Sequence, residues 1–283
     1  MRWQTGRRSS NVEDRRGHRI VKSRSFKGSL ATIIIALAAS WFFGIDPSML
    51  LNSGLLTSGE QTETVAAPTT PQQNELKELV SSVLAGTEDT WGRIFRDNGR
   101  TYIEPKLILY TGSVQTACGQ GRAETGPFYC PADEKVYLDL VFYSELKRMG
   151  APGDFAQAYV IAHEIGHHVQ KQLGVSDKVA AMRQKMSKRD YNALSVKVEL
   201  QADCYAGIWA HDADVNQNWL ESGDLEDALN AASQIGDDTL QKNARGYAVP
   251  DSFTHGTSAQ RMKWFTRGYQ SGDPGQCNTF TSL

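Results

Sequence analysis

The residues best suited to chemistry form the segment His163-Glu164-Ile165-Gly166-His167, which matches the pattern H-E-x-x-H. On a helix, residues four apart share a face, so both imidazoles can reach one metal ion. Glu164 then projects beside that ion, where its carboxylate can act as a general base. The alternative is a pair of structural histidines on an ordinary helix, because motif matches include false positives. The pattern predicts a zinc site with His163 and His167 as ligands.

A catalytic zinc site normally takes three protein ligands, so a third ligand must lie elsewhere in the chain. The longer pattern H-E-x-x-H-x-x-G-x-x-H does not supply it, because Gln170 and Leu173 occupy the required Gly and His positions. Further along, Glu199 and Asp203 form an E-x-x-x-D pair on one face of a predicted helix. We assign Glu199 as the third ligand and expect Asp203 to accept a hydrogen bond from the far nitrogen of His163. Taken alone, this pair would more often be a solvated helix face.

Hydrophobic periodicity predicts the elements that must position these residues. The predicted helices cover residues 74–95, 155–173, 191–210, 224–235 and 257–269. The predicted strands cover residues 107–110 and 135–143. Small residues at positions 202, 206, 207 and 210 would let the second long helix approach the H-E-x-x-H helix closely. If residues 136–140 form an exposed edge strand, a peptide substrate could pair with it, but an interior strand fits the sequence equally well.

The beginning of the chain differs in character from the rest. Residues 1–27 carry nine Lys and Arg against two acidic residues, although the whole chain of 283 residues has a formal charge of −2. Residues 28–45 contain no charged side chain and are just long enough to span a bilayer. A cleaved signal peptide is the rival interpretation, which the long basic region disfavours. The acidic excess after residue 27 excludes an electrostatic footprint for nucleic acid.

We therefore predict a basic cytoplasmic arm over residues 1–27, a transmembrane anchor over 28–45 and a flexible linker over 46–73. A zinc metallopeptidase domain over 74–283 would follow, on the far side of the membrane. The predicted fold class is α+β, namely a mainly helical zincin-like domain with a small sheet and an edge strand, preceded by one transmembrane helix.

Four cysteines in a translocated domain favour disulfides, and they allow three pairings. Pairing Cys118 with Cys130 would close a glycine-rich loop, and pairing Cys204 with Cys277 would tie the C-terminal tail to the helix that bears Glu199. No C-x-x-C pair indicates a separate structural zinc site. Buried free thiols are the alternative.

Four segments together resemble one family over nearly the whole chain: GPFYCPADEKVYLDL, HEIGHHVQ, VELQADCYAG and THGTSAQR. They are similar to the bacterial YpfJ-like family of neutral zinc metallopeptidases. The resemblance implies a gluzincin-like core with an edge strand beside the cleft, Zn²⁺ as cofactor, and protein or peptide substrates. It also implies a single-pass protein of the bacterial inner membrane with a periplasmic catalytic domain. It does not imply a particular substrate.

A loop histidine, His255, is a candidate donor to the oxyanion that forms during peptide hydrolysis. Its context resembles the Thr-His-Pro segment that follows the third ligand in some other membrane-associated zinc peptidases. Alternatively, His255 is a surface residue, or it fills the open zinc position at rest. The sequence as a whole predicts a membrane-anchored zinc endopeptidase with Glu164 and His255 as catalytic residues. The alternative is a membrane-tethered zinc-containing binding or chaperone-like module without peptidase activity.

Overall fold

The structure is a computed structural model, and it describes residues 1–16, 70–122 and 126–280. Its helices are α1 (Pro71–Asp97), α2 (Val141–Arg148), α3 (Asp154–Gln172), α4 (Val175–Arg183), α5 (Lys188–Val215), α6 (Asp224–Gln234), α7 (Asp237–Arg245) and α8 (Ser258–Ser271). Its strands are β1 (Val12–Asp14), β2 (Lys106–Tyr110), β3 (Ser113–Thr116), β4 (Gly119–Arg122), β5 (Phe128–Cys130) and β6 (Lys135–Asp139). The described part is thus mainly helical with small sheets, as the sequence predicts.

Close packing of three helices forms the centre of the domain. A Cβ atom added to Gly166 of α3 would lie 2.9 Å from the carbonyl oxygen of Ala202 in α5, so these two helices touch at their backbones. A Cβ atom on Gly207 would lie 2.1 Å from the carbonyl oxygen of Phe265 in α8. The small residues of α5 therefore allow two helices, α3 and α8, to pack closely against it. Ala202 faces the H-E-x-x-H helix as expected, whereas Gly207 faces α8.

The larger sheet has the strand order β1-β2-β6-β5, in which β5 runs antiparallel to β6 and the other neighbours are parallel. Of the two possibilities left open for residues 136–140, the interior strand is the one observed, because β6 lies between β2 and β5. The terminal strands of this sheet are β1 and β5, and β5 is the one that contacts α3. The strand predicted over 135–143 is also too long. Asp139 accepts a hydrogen bond from the backbone N–H of Val141 at 3.0 Å, and α2 begins there.

The first sixteen residues are part of the domain. Trp3 is 4% exposed and its indole N–H donates to Asp154 at the start of α3, at 2.9 Å. Arg7 forms an ion pair of 2.7 Å with the buried Glu88 of α1. Strand β1 pairs with β2, and residues 1–16 belong to the same compact unit as the described residues from 70 onward. The separate basic arm predicted over 1–27 is therefore not seen in its first sixteen residues, because acidic side chains of the domain neutralise it.

The predicted transmembrane anchor, residues 28–45, lies outside the described residues. Within the described ranges, no helix has the length and apolar character needed to cross a membrane. The predicted linker, 46–73, ends too late, because α1 begins at Pro71 after a Thr70 capping box.

Two disulfides are present, Cys118–Cys130 and Cys204–Cys277. The first joins the β3–β4 hairpin to the edge strand β5. The second joins the short 3₁₀ turn Pro274–Cys277 to α5, one residue after Asp203. The prediction of disulfides is thus confirmed, and the C-terminal segment is covalently attached to the helix that carries Glu199.

Candidate metal centre

Three side chains from two helices face a common point. His163 and His167 lie one turn apart on α3, and Glu199 lies opposite them on α5. The Nε2 atom of His163 is 3.1 Å from Glu199 Oε2, and the Nε2 atom of His167 is 3.5 Å from Glu199 Oε1. One ligand atom from each residue lies within 4.8 Å of the other two. The structure thus brings together the three ligands assigned from the sequence.

These distances can be compared with the geometry of a zinc site. Bonds of about 2.0–2.1 Å to nitrogen and oxygen, arranged tetrahedrally, place neighbouring ligand atoms about 3.3 Å apart. The two nitrogen–oxygen separations, 3.1 Å to Oε2 and 3.5 Å to Oε1 of Glu199, are close to that value. Two imidazoles and one carboxylate also form a donor set that zinc accepts, with room left for water. The residue types and their spacing therefore fit a zinc ion.

The electrostatics of the three residues favour a cation. Burial alone would lower the pKa of His163, but its contacts with Asp203 and Glu199 outweigh burial and raise the pKa to about 9. The pKa of His167 is also raised, because Glu199 more than offsets the effect of burial. Burial would raise the pKa of Glu199, yet the two imidazoles hold it well below its usual range. Positive charge is thus stabilised at the point that the three side chains face.

The second nitrogen of His163 is held by a buried charged network. Asp203 is fully buried and its Oδ1 atom lies 2.8 Å from His163 Nδ1, where the sequence placed it. The same carboxylate accepts from Tyr159 Oη at 2.6 Å and from Arg261 Nε at 2.9 Å. An ionised carboxylate only accepts hydrogen bonds, so His163 must carry its proton on Nδ1. When the imidazole is neutral, as metal binding requires, its Nε2 lone pair is directed at the metal position.

Sequence reasoning missed Arg261 and Tyr159. Burial would raise the pKa of Asp203, but Arg261 and His163 lower it to about 2, so the carboxylate stays ionised. Nearly a hundred residues separate Arg261 from His163, and no local spacing connects them. The only available signal was an arginine on the inward face of α8, one turn after the capping box at Thr257. A buried cation of this kind indicates a buried anionic partner.

Glu164 lies beside the three ligands and is 8% exposed. Burial raises the pKa of its carboxyl group, while the neighbouring His163 and His167 and a hydrogen bond from the backbone N–H of Tyr129 act in the opposite direction. A raised pKa makes a carboxylate a stronger base than it is in water. Because Tyr129 belongs to β5, this terminal strand runs directly past Glu164.

His168, the third histidine of the segment, faces away from the metal position. Its Nδ1 atom lies 3.0 Å from Tyr129 Oη, and its Nε2 atom lies 2.7 Å from the carbonyl oxygen of Ile103. It follows His167 by one residue, or about 100° around the helix, as expected for a residue that does not bind the metal. His168 instead ties α3 to the edge strand β5 and so fixes the distance between Glu164 and that edge.

A cleft of about 930 Å³ opens over the site. Its lining includes the apolar residues Val141, Phe142, Met149, Val160, Ile235 and Leu240. His255 also lines the cleft, and its Nδ1 atom lies 3.2 Å from Asp237 Oδ1. That hydrogen bond raises the pKa of His255, against the opposing effect of burial. Asp237, which sequence reasoning missed, also accepts from the backbone N–H groups of Thr254, His255 and Gly256.

Two imidazoles on α3 and a carboxylate on α5 thus form a group that could hold a metal ion. The chain belongs to the family described as "Putative neutral zinc metallopeptidase", whose pattern matches residues 1–280. It is 50% identical over 289 residues to the uncharacterized protein YpfJ of Escherichia coli K12, with 99% of each chain covered. It is 44% identical over 192 residues to the uncharacterized protein Mb2605 of Mycobacterium bovis, with 64% of each chain covered. No solved structure matches the chain significantly.

Proposed function

We propose that this protein is a zinc-dependent endopeptidase in which Glu164 is the general base and His163, His167 and Glu199 hold the metal. The observation that carries the proposal is the position of Glu164, a buried carboxylate with a raised pKa, between the three-ligand set and the terminal strand β5. A purely structural zinc site prefers four protein ligands and has no use for such a base.

An extended peptide would bind along β5. The backbone of this terminal strand could pair with a peptide main chain whatever its sequence, once the N–H of Tyr129 leaves its hydrogen bond to Glu164. Peptide side chains would enter the cleft, where apolar lining residues such as Phe142 and Leu240 favour apolar side chains. The substrate class is therefore an unfolded or flexible polypeptide with an apolar side chain next to the bond that is cut.

The chain's own residues account for the proton movements of the reaction. When bound, zinc supplies a Lewis acid that polarises the peptide carbonyl and makes a nearby water more acidic. Glu164 takes the proton of the attacking water and returns it to the nitrogen of the leaving amine. His255 donates from its Nε2 atom to the oxygen that gains negative charge, while Asp237 holds its Nδ1–H.

The test compares the wild-type full-length chain with Glu164→Gln, using casein and a library of fluorogenic peptides. The proposal predicts that both proteins bind one zinc ion, and that cleavage falls by about 10²- to 10⁴-fold in the variant, because amide nitrogen and oxygen cannot relay the proton. If both bind zinc and neither cuts any polypeptide, the peptidase proposal fails and the zinc-containing binding or chaperone-like module takes its place. Equal cleavage by both proteins would remove Glu164 from the mechanism.

We also propose that the domain works in an oxidising compartment, such as the bacterial periplasm, with residues 1–16 on the same side of the membrane. Support comes from the two disulfides and from the pairing of β1 with β2. A membrane-impermeant thiol reagent applied to spheroplasts tests this with the exposed positions Ser10→Cys and Gln184→Cys. Labelling of both positions supports the proposal. Labelling of residue 184 alone would establish the single-pass arrangement, and labelling of neither would place the domain in the cytoplasm.

A further inference from the structure

The second nitrogen of His167 faces an uncharged partner. His167 Nδ1 lies 2.9 Å from Oε1 of Gln170, whose side chain is fully buried. The side-chain NH₂ group of Gln170 donates to the carbonyl oxygen of Val198 at 2.7 Å and to Oε1 of Gln201 at 3.1 Å. Both donors and the acceptor of this amide are thus used.

The chain of hydrogen bonds continues to the C-terminal segment. Gln201 is 6% exposed, and its NH₂ group donates to the carbonyl oxygen of Cys277 at 3.0 Å. Cys277 is fixed in place by its disulfide to Cys204. Three residues from three separate segments, Gln170, Gln201 and Cys277, therefore connect a metal ligand to the tail of the chain.

The direction of this chain is determined at its far end. A backbone carbonyl only accepts hydrogen bonds, so the carbonyl of Cys277 requires the NH₂ group of Gln201 to point at it. The side-chain oxygen of Gln201 then faces Gln170 and can only accept, so the NH₂ group of Gln170 must donate to it. The carbonyl oxygen of Val198 likewise accepts from this NH₂ group. The remaining oxygen of Gln170 faces His167, whose Nδ1 atom must be the donor. When the imidazole is neutral, as metal binding requires, a proton on Nδ1 leaves the Nε2 lone pair free.

We propose that Gln170 and Gln201 are positioning residues that form a neutral amide relay, which fixes the metal-binding tautomer and the ring orientation of His167. The inference rests on the proposed zinc site and goes beyond its three ligands and base. The relay performs for His167 the task that the carboxylate of Asp203 performs for His163, without adding a further carboxylate to Glu164, Glu199 and Asp203.

The helix itself offers a matched control. Gln157 also lies on α3 and is 8% exposed, but its Oε1 atom has no hydrogen-bond partner among the described residues. Replacing a glutamine by methionine removes the amide and conserves most of the volume. The variants Gln170→Met, Gln201→Met and Gln157→Met thus make the same chemical change at two relay positions and at one buried position outside the relay.

The experiment measures zinc affinity of the full-length chain by competition with a chromophoric chelator. We expect Gln170→Met to bind zinc about 10- to 100-fold more weakly than the wild type, which is the usual effect of losing a partner of a ligating histidine. We expect a smaller loss for Gln201→Met, because Gln170 keeps its bond to Val198, and no change for Gln157→Met. Circular dichroism verifies folding, and Gln201→Met stands in if Gln170→Met does not fold.

A second readout separates positioning from general stability. In the zinc-loaded protein labelled with ¹⁵N-histidine, the Nδ1–H signal of His167 should exchange slowly with water in the wild type and in Gln157→Met. It should exchange fast or disappear in Gln170→Met. Equal zinc affinities and equal exchange in all variants would overturn the relay while leaving the peptidase proposal intact. A well-folded wild type without zinc would overturn the metal site and the relay together.

Discussion

His163 and His167 lie one turn apart on the same helix and direct the same nitrogen at the same point, yet their other nitrogens are held in opposite ways. Behind His163 lies a fully buried carboxylate, Asp203, paired with the buried guanidinium of Arg261. Behind His167 lie two neutral amides. The first arrangement strengthens the ligand by charge, and the second orients its ligand through geometry alone.

The different partners of the two Nδ1 atoms show how a buried site can limit its charge. Each further carboxylate near Glu164 and Glu199 would need a compensating cation, since an unpaired buried charge is strongly destabilising. Arg261 performs that task for Asp203. An amide behind His167 needs no counterion, because its hydrogen bonds are satisfied by backbone carbonyls. The two arrangements should therefore differ in how much stability and how much metal affinity their loss removes.

The loss of the charged partner behind His163 should lower stability the most. Asp203→Ala leaves the Arg261 guanidinium buried without its carboxylate and should lower the free energy of unfolding by about 3–5 kcal/mol. Urea denaturation monitored by circular dichroism measures this loss. Adding Arg261→Met to Asp203→Ala removes the unpaired charge, so the double variant should recover part of the stability. A single-variant loss below about 1 kcal/mol, the range of a surface ion pair, would show that the network is not the buried pair described here.

Next in size is the disulfide that fixes the end of the amide relay. Replacing Cys204 and Cys277 by serine should cost about 2–4 kcal/mol of stability. It should also weaken zinc binding, because the carbonyl that directs Gln201 is no longer held. The control is the same double substitution at Cys118 and Cys130, which lowers stability without reaching a metal ligand. Equal zinc affinity of the two double variants would show that the C-terminal segment does not influence the metal site.

A smaller effect is expected where the two ligand helices touch. The methyl group of Gly166→Ala would meet backbone atoms of Ala202 at 2.9 and 3.0 Å, so α3 and α5 must move apart at a cost of about 1–3 kcal/mol. Because His163 and His167 lie on α3 and Glu199 on α5, zinc affinity should fall as well. Gly92→Ala in α1 is the control, since its Cβ meets nothing within 4 Å and should stabilise the helix slightly. Thermal unfolding and zinc titration of both variants measure these effects. A Gly166→Ala variant as stable as Gly92→Ala, with the same zinc affinity, would contradict the prediction.

The smallest effect concerns the pH dependence of His255, outside the metal ligands. Its hydrogen bond to Asp237 raises the pKa of the imidazole, so the protonated donor is present below that pKa and is lost as pH rises through it. Asp237→Asn removes the main cause of the increase. The fall of kcat/KM at alkaline pH should therefore begin at lower pH in the variant, with no change in zinc affinity. A pH profile identical to that of the wild type would exclude His255 as the donor.

Short-range patterns in the sequence predicted much of the site. Helical spacing alone placed His163, Glu164 and His167 together, and the same rule placed Glu199 four residues before Asp203. The residues that support them were not predicted, because they come from distant segments. Arg261, Gln201 and Cys277 acquire their roles only when α5, α8 and the tail pack together. Gln170 was noticed only as a departure from a longer motif.

The fold was predicted less well wherever local propensity and tertiary contacts disagree. The basic residues before position 17 were predicted to form a separate arm, yet they pair with acidic residues such as Glu88. The same segment also forms strand β1. Strand β5 is only three residues long, too short for a period of two to appear, so it was missed, and the sequence left open whether β6 is an edge or an interior strand. Both errors arise because pairing between strands depends on the whole chain.

The most direct test of the account is anomalous diffraction at the zinc edge from crystals of the zinc-loaded protein. The account predicts one ion bound by the Nε2 atoms of His163 and His167 and by the carboxylate of Glu199, with Asp203 and Gln170 still bonded to the two Nδ1 atoms. An ion bound through Nδ1, an ion at a different set of residues, or Glu199 turned away from the metal would contradict it.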